Sequence, residues 1–429
     1  MPTQPFVVIV DSYGAARALA GQFRGAGAHL IRVQSTAGVP RVYGESPDPA
    51  GYAASVIHKG DLEATIGEVT PYRPAAVIAG SEIGVEFADA LAEALGLAGN
   101  GTPLSAARRD KYLMIETIRQ AGLAAARQAR VGSAAELMEW HTAIGGRIVV
   151  KPIRSSAGDS VSYCDTPAQS AAAFDRIHGT ENIFSDRNVG AVAQEYLRGT
   201  EYIVNTASWD GHHRICEIWC TTRISVNNML DLVDAEYLMP RSGAVQEKLG
   251  DYATQVLDAL GIRYGAAHLE IRMTSRGPVL VEVGARICGA DLPRYAQIAQ
   301  GDSQLDWTVM AYLDPARFLA TYQESRPPQR FCAFVGLVSP SAGILRGYRD
   351  LPALRRLESF YELNMTVQPG APIVRTVNDL TYPGIVVLMH ESEETIRRDA
   401  NTIRYLDGAG FYEISPVNDS SDFGHSTES

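Results

Sequence analysis

Two glutamates on consecutive strand-like segments are the residues of this sequence best placed to do chemistry. Glu270 lies in the stretch HLEIR and Glu282 in LVEVGAR, and the turn at residues 275–277 predicts a hairpin that brings the two side chains together. Adjacent carboxylates repel each other unless a cation lies between them, and Mg²⁺ favours one or two carboxylates together with phosphate oxygens. A pair of solvated surface acids is the alternative, but the neighbouring residues are largely apolar or glycine. The pattern therefore predicts a magnesium site.

A second set of residues is suited to bind phosphate. Lys151 ends an apolar run, VVKP, where a lysine is unusual unless its ammonium group reaches a partner. A loop of small residues follows, and its amides and hydroxyls suit phosphate oxygens: Ser155, Ser156, Gly158 and Ser160. Lys111 opens a helix predicted over residues 110–121, on the apolar face, where it either extends to solvent or reaches an anion. The chain has no Walker motif, so the phosphate site depends on this combination.

A third set follows the strand predicted over residues 191–193. Its members are Glu195, Tyr196, Leu197 and, slightly later, Glu201. Carboxylates at these positions can accept hydrogen bonds from an exocyclic amine and from ribose hydroxyls, and apolar neighbours can enclose a purine. The segment therefore predicts contacts to a nucleoside.

Alternating strands and helices must position these groups. Strand patterns at residues 6–10, 30–33 and 75–79 alternate with helices at 15–25 and 84–95, which predicts a parallel α/β layer. Ser81 and Glu82 come directly after the third strand, where ligands of such layers bind. Glu82 is a candidate partner for a substrate ammonium group, and the alternative is that it caps the following helix.

Two hairpins and a change of pattern mark the rest of the chain. The first hairpin surrounds Asp210-Gly211, and the second spans residues 266–283. From residue 326 onward the pattern changes to strands at 331–338 and 385–390 and a polar helix at 393–406. The polar stretch at 418–429 is predicted to be disordered.

Composition limits the partners and the location. The 429 residues include 38 Lys and Arg against 49 Asp and Glu, and the resulting net charge of −11 argues against a nucleic-acid surface. No apolar run approaches the roughly 18 residues that span a bilayer, and the N-terminus has no basic leader, so we expect a cytoplasmic protein without a membrane partner. The five cysteines are dispersed and odd in number, which argues against a disulfide framework.

The order of these groups along the chain resembles the ATP-grasp superfamily. Lys111, Lys151 with its loop, QEYLRGTEY, and the pair Glu270 and Glu282 followed by Arg286 occur in that order. The two glutamates are twelve residues apart, as the magnesium carboxylates of that superfamily usually are. The resemblance covers residues 1–320. The segments AGSEIGVEFADALAEALGL and AHLEIRMTSRGPVLVEVGARICG, with the C-terminal YPGIVVL module, look most like the L-amino-acid ligases that make dipeptides.

The resemblance implies an α/β fold with α+β elements, organised as an ATP-grasp protein. An N-terminal pre-ATP-grasp layer is expected at residues 1–103, followed by the nucleotide-clamping ATP-grasp domain at 104–325 with a lid near 125–196. A C-terminal α+β domain is expected at 326–417, before the tail.

The resemblance also implies a role for each candidate residue. Lys111 and Lys151 would hold the ATP phosphates under the 155–160 loop, with Arg223 as a further phosphate-binding cation. Glu195 and the backbone at Tyr196 and Leu197 would face adenine, and Glu201 the ribose. Glu270 and Glu282 would bind Mg²⁺ or Mn²⁺. Arg286, with Lys151 as the second catalytic residue, would face the reacting carboxylate or the transferred phosphate. The substrate contacts would come from Ser81, Glu82, His268, Arg286 and Gly289.

The implied activity is ATP-dependent ligation of a carboxylate to an amine, joining two amino acids through an acyl phosphate. ADP and phosphate would be released, the partners would be small molecules, and a homodimer is compatible with the family. Two alternatives remain: a ligase for a non-amino-acid carboxylate, and an inactive nucleotide-binding regulatory subunit. Many relatives have Asn where this chain has Gly284, so the geometry at a second metal ion stays open.

Overall fold

Two compact units make up the chain in the computed structural model, which describes residues 4–44, 49–324 and 329–416. The first unit contains residues up to 221 together with 238–329, and the second contains residues 222–237 and the chain from Arg330 onward. The predicted disordered tail at 418–429 lies outside the described residues. In the described ranges no helix is both long and apolar enough to cross a membrane.

A parallel four-stranded sheet, in the order β3-β2-β1-β4, begins the first unit. Its elements are β1 (Phe6–Val10), α1 (Ala16–Gly25), β2 (His29–Gln34), β3 (Ala54–Ile57), α2 (Leu62–Val69), β4 (Ala76–Ala79) and α3 (Val85–Ala94). Alternate residues of β1 pack to opposite sides, with Val7 and Ile9 in one apolar cluster and Val8 and Val10 in another. The predicted parallel α/β layer is confirmed. The short, half-exposed β3 was missed because it has no continuous apolar run.

A four-stranded antiparallel sheet, in the order β5-β8-β6-β7, follows the helix that carries Lys111. The elements are α4 (Lys111–Gln120), β5 (Gln128–Val131), α5 (Ala134–Ile144), β6 (Ile148–Pro152), β7 (Ser162–Cys164), α6 (Pro167–Ile177) and β8 (Ala191–Glu195). The Asp110 side chain accepts hydrogen bonds from the backbone amides of Tyr112 and Leu113, which starts α4 at Lys111. The lysine position is therefore set by a local cap.

Long antiparallel strands complete the first unit, in the order β13-β12-β9-β10. The elements in chain order are β9 (Thr200–Trp209), β10 (His212–Val226), α7 (Ala244–Ala259), β12 (Gly265–Thr274), β13 (Gly277–Gly284), α8 (Leu292–Gln300), α9 (Gln304–Leu313) and α10 (Pro315–Thr321). Between β10 and α7 lies β11 (Met229–Leu238), which belongs to the second unit except for its last residue. Both predicted hairpins are confirmed. The first turns at Asp210 (φ 49°) and Gly211 (φ 79°), left-handed conformations that asparagine, aspartate and glycine adopt most readily.

The second unit is built around strands in the order β11-β14-β18-β16 and a three-stranded sheet, β17-β15-β19. Its further elements are β14 (Phe331–Gly336), β15 (Gly343–Tyr348), α11 (Leu351–Arg355), β16 (Phe360–Met365), β17 (Pro372–Ile373), β18 (Gly384–His390), α12 (Glu393–Leu406) and β19 (Tyr412–Ser415). The unit includes residues 222–237, which were expected in the ATP-grasp domain. These residues join it because β11 pairs with β14, with Ala235 opposite Val335. The expected boundary at 325/326 falls outside the described residues, and the division of the first unit at residue 103 stays a prediction.

Short 3₁₀ helices connect several elements of the described chain. They are Arg41–Tyr43, Pro49–Gly51, Thr70–Tyr72, Glu82–Gly84, Ala106–Arg108 and Asp379–Thr381. The fourth of them follows β4 directly and presents Ser81 and Glu82 at the carboxyl edge of the parallel sheet. The carboxyl end of β1 leads to the same edge, since β1 and β4 are parallel neighbours.

Candidate functional site

Glu270 and Glu282 are direct cross-strand neighbours, as the hairpin pattern predicted. The two residues are paired in the antiparallel register of β12 and β13, and the register shifts immediately after Glu270. Their side chains are partly accessible, 35% for Glu270 and 22% for Glu282. Among the described residues no group of three or more His, Cys, Asp or Glu side chains could hold a metal ion. Two carboxylates alone suit a Mg²⁺ ion that takes its remaining oxygens from phosphate and water.

Lys111 reaches an anion rather than solvent. Its Nζ lies 2.8 Å from Oε1 of Glu282 and also donates to the backbone carbonyl of Ser155. The side chain is only 5% exposed, so the alternative of a lysine extended to water is wrong. The first residue of α4 is thereby tied both to the carboxylate pair and to the loop after β6.

Lys151, on β6, belongs to the same electrostatic cluster. Burial lowers the pKa of Lys151 to about 8; Lys111 acts in the same direction, and the carboxylates of Glu282 and Glu270 oppose both. Two lysines and two glutamates therefore influence one another in a region largely withdrawn from water. An added polyanion such as a triphosphate would relieve the mutual repulsion of the two lysines.

The 155–160 loop is organised by a carboxylate that the sequence reasoning did not single out. Asp159 accepts hydrogen bonds from the hydroxyls of Ser155, at 2.6 Å, and Ser160, at 3.1 Å, and from the amide of Ile183 at 3.2 Å. Ala157, Gly158 and Ser160 have φ values of 54°, 68° and 55°, which give the loop its tight curvature. The predicted phosphate contacts of Ser155, Ser156, Gly158 and Ser160 stay predictions.

Arg286 and Glu82 form an ion pair at the carboxyl edge of the parallel sheet. Nε of Arg286 donates to Oε2 of Glu82 at 3.1 Å, and the two side chains are 17% and 7% exposed. No described backbone amide donates to the Glu82 carboxylate, but Glu82 is the acidic residue in the first turn of the 3₁₀ helix before α3, so the helix-terminus alternative stays open. The neighbouring Ser81 is buried as well. A Cβ atom on Gly284 would lie 2.9 Å from Oε2 of Glu82, so glycine at this position leaves space for the pair.

Arg109 joins this group although no feature of the sequence distinguished it from Arg108. Its Nε lies 3.8 Å from Oε1 of Glu82. Its guanidinium lies over the ring of Phe184, with the Cζ atom 5.6 Å from the centroid. Nothing in the sequence distinguishes the two consecutive arginines, and only the structure shows their different surroundings.

His268 is held by a buried hydrogen-bond chain that the sequence reasoning also missed. Asn205 Nδ2 donates to Glu217 Oε1 at 2.9 Å. The other end of the same amide, Oδ1, lies 2.9 Å from Nδ1 of His268. Because an amide oxygen only accepts hydrogen bonds, Nδ1 of His268 carries the proton. The other ring nitrogen lies 3.5 Å from Oε1 of Glu270. Burial lowers the pKa of His268, but the Cys288 sulfur and Glu270 outweigh burial and raise it to about 10. A charged residue inside the apolar run ICEIW was the available signal for Glu217.

The carboxylates predicted to contact the nucleoside have protein partners in the structure. Glu195 lies 2.9 Å from Nε of Arg127 and 2.7 Å from Arg276, and Glu201 pairs with Arg272 at 2.8 Å. Burial raises the pKa of Glu195, and hydrogen bonds from Arg276 and Arg127 lower it below its usual value. Their adenine and ribose contacts stay predictions.

The remaining predicted residues are dispersed around these groups. The ring of Tyr196 packs edge-on against Tyr163 at 5.9 Å, and the carbonyl of Leu197 accepts from Arg272. Gly289 precedes α8 and has no atom within 4 Å of the position a Cβ would take. Arg223 lies in the second unit, where it donates to the carbonyl of Asp231. Its contact with ATP phosphates stays a prediction.

Comparison with known proteins gives consistent matches. A family model described as the ATP-grasp domain matches residues 144–293. Dapdiamide A synthase of Enterobacter agglomerans is 32% identical over 426 residues, covering 96% of this chain and 98% of that protein. The crystal structure of an L-amino acid ligase from Bacillus licheniformis superimposes with a TM-score of 0.74 at 18% identity, covering 97% of this chain and 100% of the other.

A second solved structure has the same fold with a nucleotide bound. Carboxyaminoimidazole ribonucleotide synthase from Aspergillus clavatus, complexed with ATP, superimposes with a TM-score of 0.65 at 14% identity. The alignment covers 95% of this chain and 100% of that one. At these identities the two solved structures establish the fold that surrounds the candidate site.

Proposed function

The chain belongs to the ATP-grasp ligases, and we propose that it activates the carboxylate of one amino acid with ATP and joins it to the amine of a second. It is an ATP-dependent enzyme that forms carbon–nitrogen bonds between small molecules. The residue roles, the metal ion and the identity of the two substrates belong to the proposal.

One observation carries the proposal. The register of β12 and β13 places Glu270 opposite Glu282, Lys111 lies 2.8 Å from Glu282, and Lys151 lies in the same cluster. Carboxylates that bind a metal ion beside lysines that bind phosphate form a site for a metal–triphosphate complex. Arg286 follows two residues after the end of β13, so the same hairpin supports a cation for the reacting carboxylate.

Activation is the first step of the proposed reaction. A carboxylate oxygen of the acid substrate attacks the γ-phosphorus of ATP, the bond to the β,γ-bridging oxygen breaks, and ADP leaves with the electron pair. The products of this step are an acyl phosphate and ADP. Lys111, Lys151 and Arg286 hold the anionic groups in line and neutralise the charge of the transferred phosphoryl group. A divalent ion held by Glu270 and Glu282, Mg²⁺ or Mn²⁺, supplies further positive charge to the phosphate oxygens when bound.

Amide formation is the second step. The neutral amine of the second amino acid attacks the acyl carbon, phosphate leaves with the electron pair of the broken carbon–oxygen bond, and the amine gives up one proton. Water must be excluded because it would hydrolyse the acyl phosphate. The 155–160 loop, which Lys111 contacts through the Ser155 carbonyl, is placed to cover the phosphates.

The substrate residues extend the proposal to the parallel sheet. Glu82 receives the α-ammonium group of the activated amino acid on Oε1, since Oε2 accepts from Arg286 and Oε1 lies 3.8 Å from Nε of Arg109, beyond hydrogen-bond distance. Ser81, His268 on β12 and Gly289, which precedes α8, are the further substrate contacts of the proposal. Location in the cytoplasm, the absence of nucleic-acid partners and assembly as a homodimer remain predictions.

The test is phosphate release from ATP and Mg²⁺ over all pairs of the common amino acids, with the dipeptide identified by mass spectrometry. The proposal predicts release that requires two amino acids together. Release that requires a non-amino-acid carboxylate would favour the wider class of amide ligases. ATP binding without turnover in every combination would favour a regulatory subunit.

A further inference from the structure

Arg108 and Arg109 are consecutive and both buried, but they differ in their hydrogen-bond partners. Arg108 donates hydrogen bonds to the carboxylate of Asp89 and to four backbone carbonyls, which accounts for its buried charge. Arg109 is only 5% exposed, yet its Nε and Nη1 atoms are buried without a hydrogen-bond partner among the residues that the structure describes. A buried cation that lacks partners is unfavourable unless a ligand supplies them.

The nearby carboxylates do not neutralise Arg109. Oε1 of Glu82 is 3.8 Å from its Nε, which is longer than a hydrogen bond, and the other oxygen of Glu82 accepts from Arg286. Asp11 is also near, but its two oxygens accept from the amide and the hydroxyl of Ser35, and burial raises its pKa. The Glu82 carboxylate thus faces two guanidinium groups, and no described carboxylate lies within hydrogen-bond distance of Arg109.

Aromatic rings form the wall beside this charge. Cζ of Arg109 lies over Phe184, the ring of Phe184 stacks with Tyr43 at 6.1 Å, and Tyr43 stacks with Tyr13 at 4.9 Å. Burial raises the pKa of Tyr43, while Arg286 and Arg109 oppose that rise, so its hydroxyl is within electrostatic reach of both arginines. Arg109 and Arg286, although far apart along the chain, therefore share Glu82 and Tyr43 as neighbours.

We infer that Arg109 binds a second carboxylate of the activated substrate, which is therefore an α-amino acid with an acidic side chain. The inference rests on the proposed function, because Arg286 is assigned the reacting carboxylate and Glu82 the α-ammonium group. With a dicarboxylic amino acid bound, the site contains three cationic groups, namely the guanidiniums of Arg109 and Arg286 and the substrate ammonium. Three carboxylates balance them: that of Glu82 and the two of the substrate. A substrate with a neutral side chain leaves Arg109 uncompensated.

A nucleotide phosphate is the competing ligand for Arg109. The phosphate-binding lysines belong to a different set of neighbours, since Lys151 is influenced by Lys111 and by the carboxylates of Glu282, Glu270 and Glu201. Arg109 instead lies among Glu82, Arg286 and Tyr43. This separation favours the amino-acid substrate over ATP, and the kinetics distinguish the two.

The experiment compares acids with their amides on the whole enzyme. L-Aspartate, L-glutamate and L-2-aminoadipate are supplied as the activated substrate, with L-asparagine, L-glutamine and L-norleucine as the uncharged set, each with the same second amino acid. Phosphate release is measured at saturating ATP for the amino-acid kinetics and at varied ATP for the KM of ATP. We expect at least one dicarboxylic acid to exceed its amide or norleucine counterpart by about tenfold or more in kcat/KM. Arg109→Gln should lower kcat/KM for the dicarboxylic acids about 10- to 100-fold and change kcat/KM for the uncharged substrates less than about threefold. The KM of ATP should stay unchanged.

Controls separate a failed inference from a failed enzyme. Arg119→Gln, at an exposed arginine of α4, should leave the preference intact, and Arg109→Lys should restore part of it because the charge returns without the planar fork. A wild-type preference for uncharged acids, an equal loss for every acid in Arg109→Gln, or a rise in the KM of ATP would each overturn the inference. If no pair of amino acids releases phosphate, the proposed function fails. Calorimetric binding of the same six amino acids to wild type and Arg109→Gln then decides the Arg109 assignment alone.

Discussion

Replacing Glu82 with glutamine tests the arrangement at the carboxyl edge of the parallel sheet. The wild-type carboxylate accepts from Arg286 at 3.1 Å, lies 3.8 Å from Arg109, and is 7% exposed. The substitution keeps the size and one acceptor oxygen but removes the negative charge between two buried guanidinium groups. We expect a loss of both stability and affinity for the activated amino acid.

The magnitude follows from the burial of the ion pair. Removing one partner of a buried pair costs about 3–5 kcal/mol, and the remaining amide oxygen can still accept from Arg286, so we expect about 2–3 kcal/mol of destabilisation. A residue that only interacts with a helix terminus would cost about 0.3–1 kcal/mol. Loss of the contact to a substrate ammonium should raise the KM of that amino acid roughly 10- to 100-fold, with the KM of ATP nearly unchanged.

Two measurements decide the outcome. Urea unfolding without ligands gives the change in unfolding free energy, and phosphate release at varied concentrations of each substrate gives the separate KM values. Glu86→Gln is a matched control, because Glu86 lies on α3 in a partly exposed pair with Arg154 and should cost about 1 kcal/mol or less. A correctly folded Glu82→Gln enzyme with a normal amino-acid KM, or with a stability loss no greater than that of the control, would refute the reasoning.

Three further predictions concern the reaction and the buried network. Glu270→Gln should abolish phosphate release while changing thermal unfolding without ligands only slightly, because it removes one of two repelling carboxylates and Glu270 is partly exposed. Glu282→Gln should abolish release as well and also lower stability, because it removes the ion-pair partner of the buried Lys111. Near-normal ligation by either variant in Mg²⁺ would contradict the metal assignment. Ion chromatography of a complete reaction should find ADP and phosphate in equal amounts, and stoichiometric AMP would exclude an acyl phosphate. Burial raises the pKa of Glu217 to about 8 from 4.5, so its neutral form favours the folded state and that contribution is lost as the pH rises from about 4.5 through 8. Glu217→Gln should flatten this part of the pH–stability curve measured by urea unfolding, and an unchanged slope would contradict the raised pKa.

Residues joined by short segments of chain were placed well by the sequence. Glu270 and Glu282 belong to one hairpin, which the short turn predicts, but the register next to that turn, Thr274 with Gly277, would place Glu270 opposite Val281. The register shift after Glu270 brings it opposite Glu282 instead. Lys111 was placed at the start of its helix because the preceding Asp110 is a cap residue. The order of lysines and glutamates along the chain was enough to indicate the family.

Contacts between residues that are far apart along the chain could not be predicted in this way. The sequence offered two interpretations for Glu82 and neither named Arg286, which is 204 positions away. The grouping of residues 222–237 with the second unit has the same cause, because β11 pairs with β14, which lies about 100 positions further along the chain.

The sequence by itself therefore determined the α/β layer, the two hairpins and the start of the helix that carries Lys111. These features depend on periodicity, caps and turns, which act over a few residues. Only the tertiary structure decided which buried charges meet: Glu82 with Arg286, Lys111 with Glu282, and Arg109 with no described hydrogen-bond partner. Residue type sets the charge of a side chain, but its burial and its neighbours arise when distant segments pack together, and they decide whether that charge is neutralised within the fold or left for a ligand.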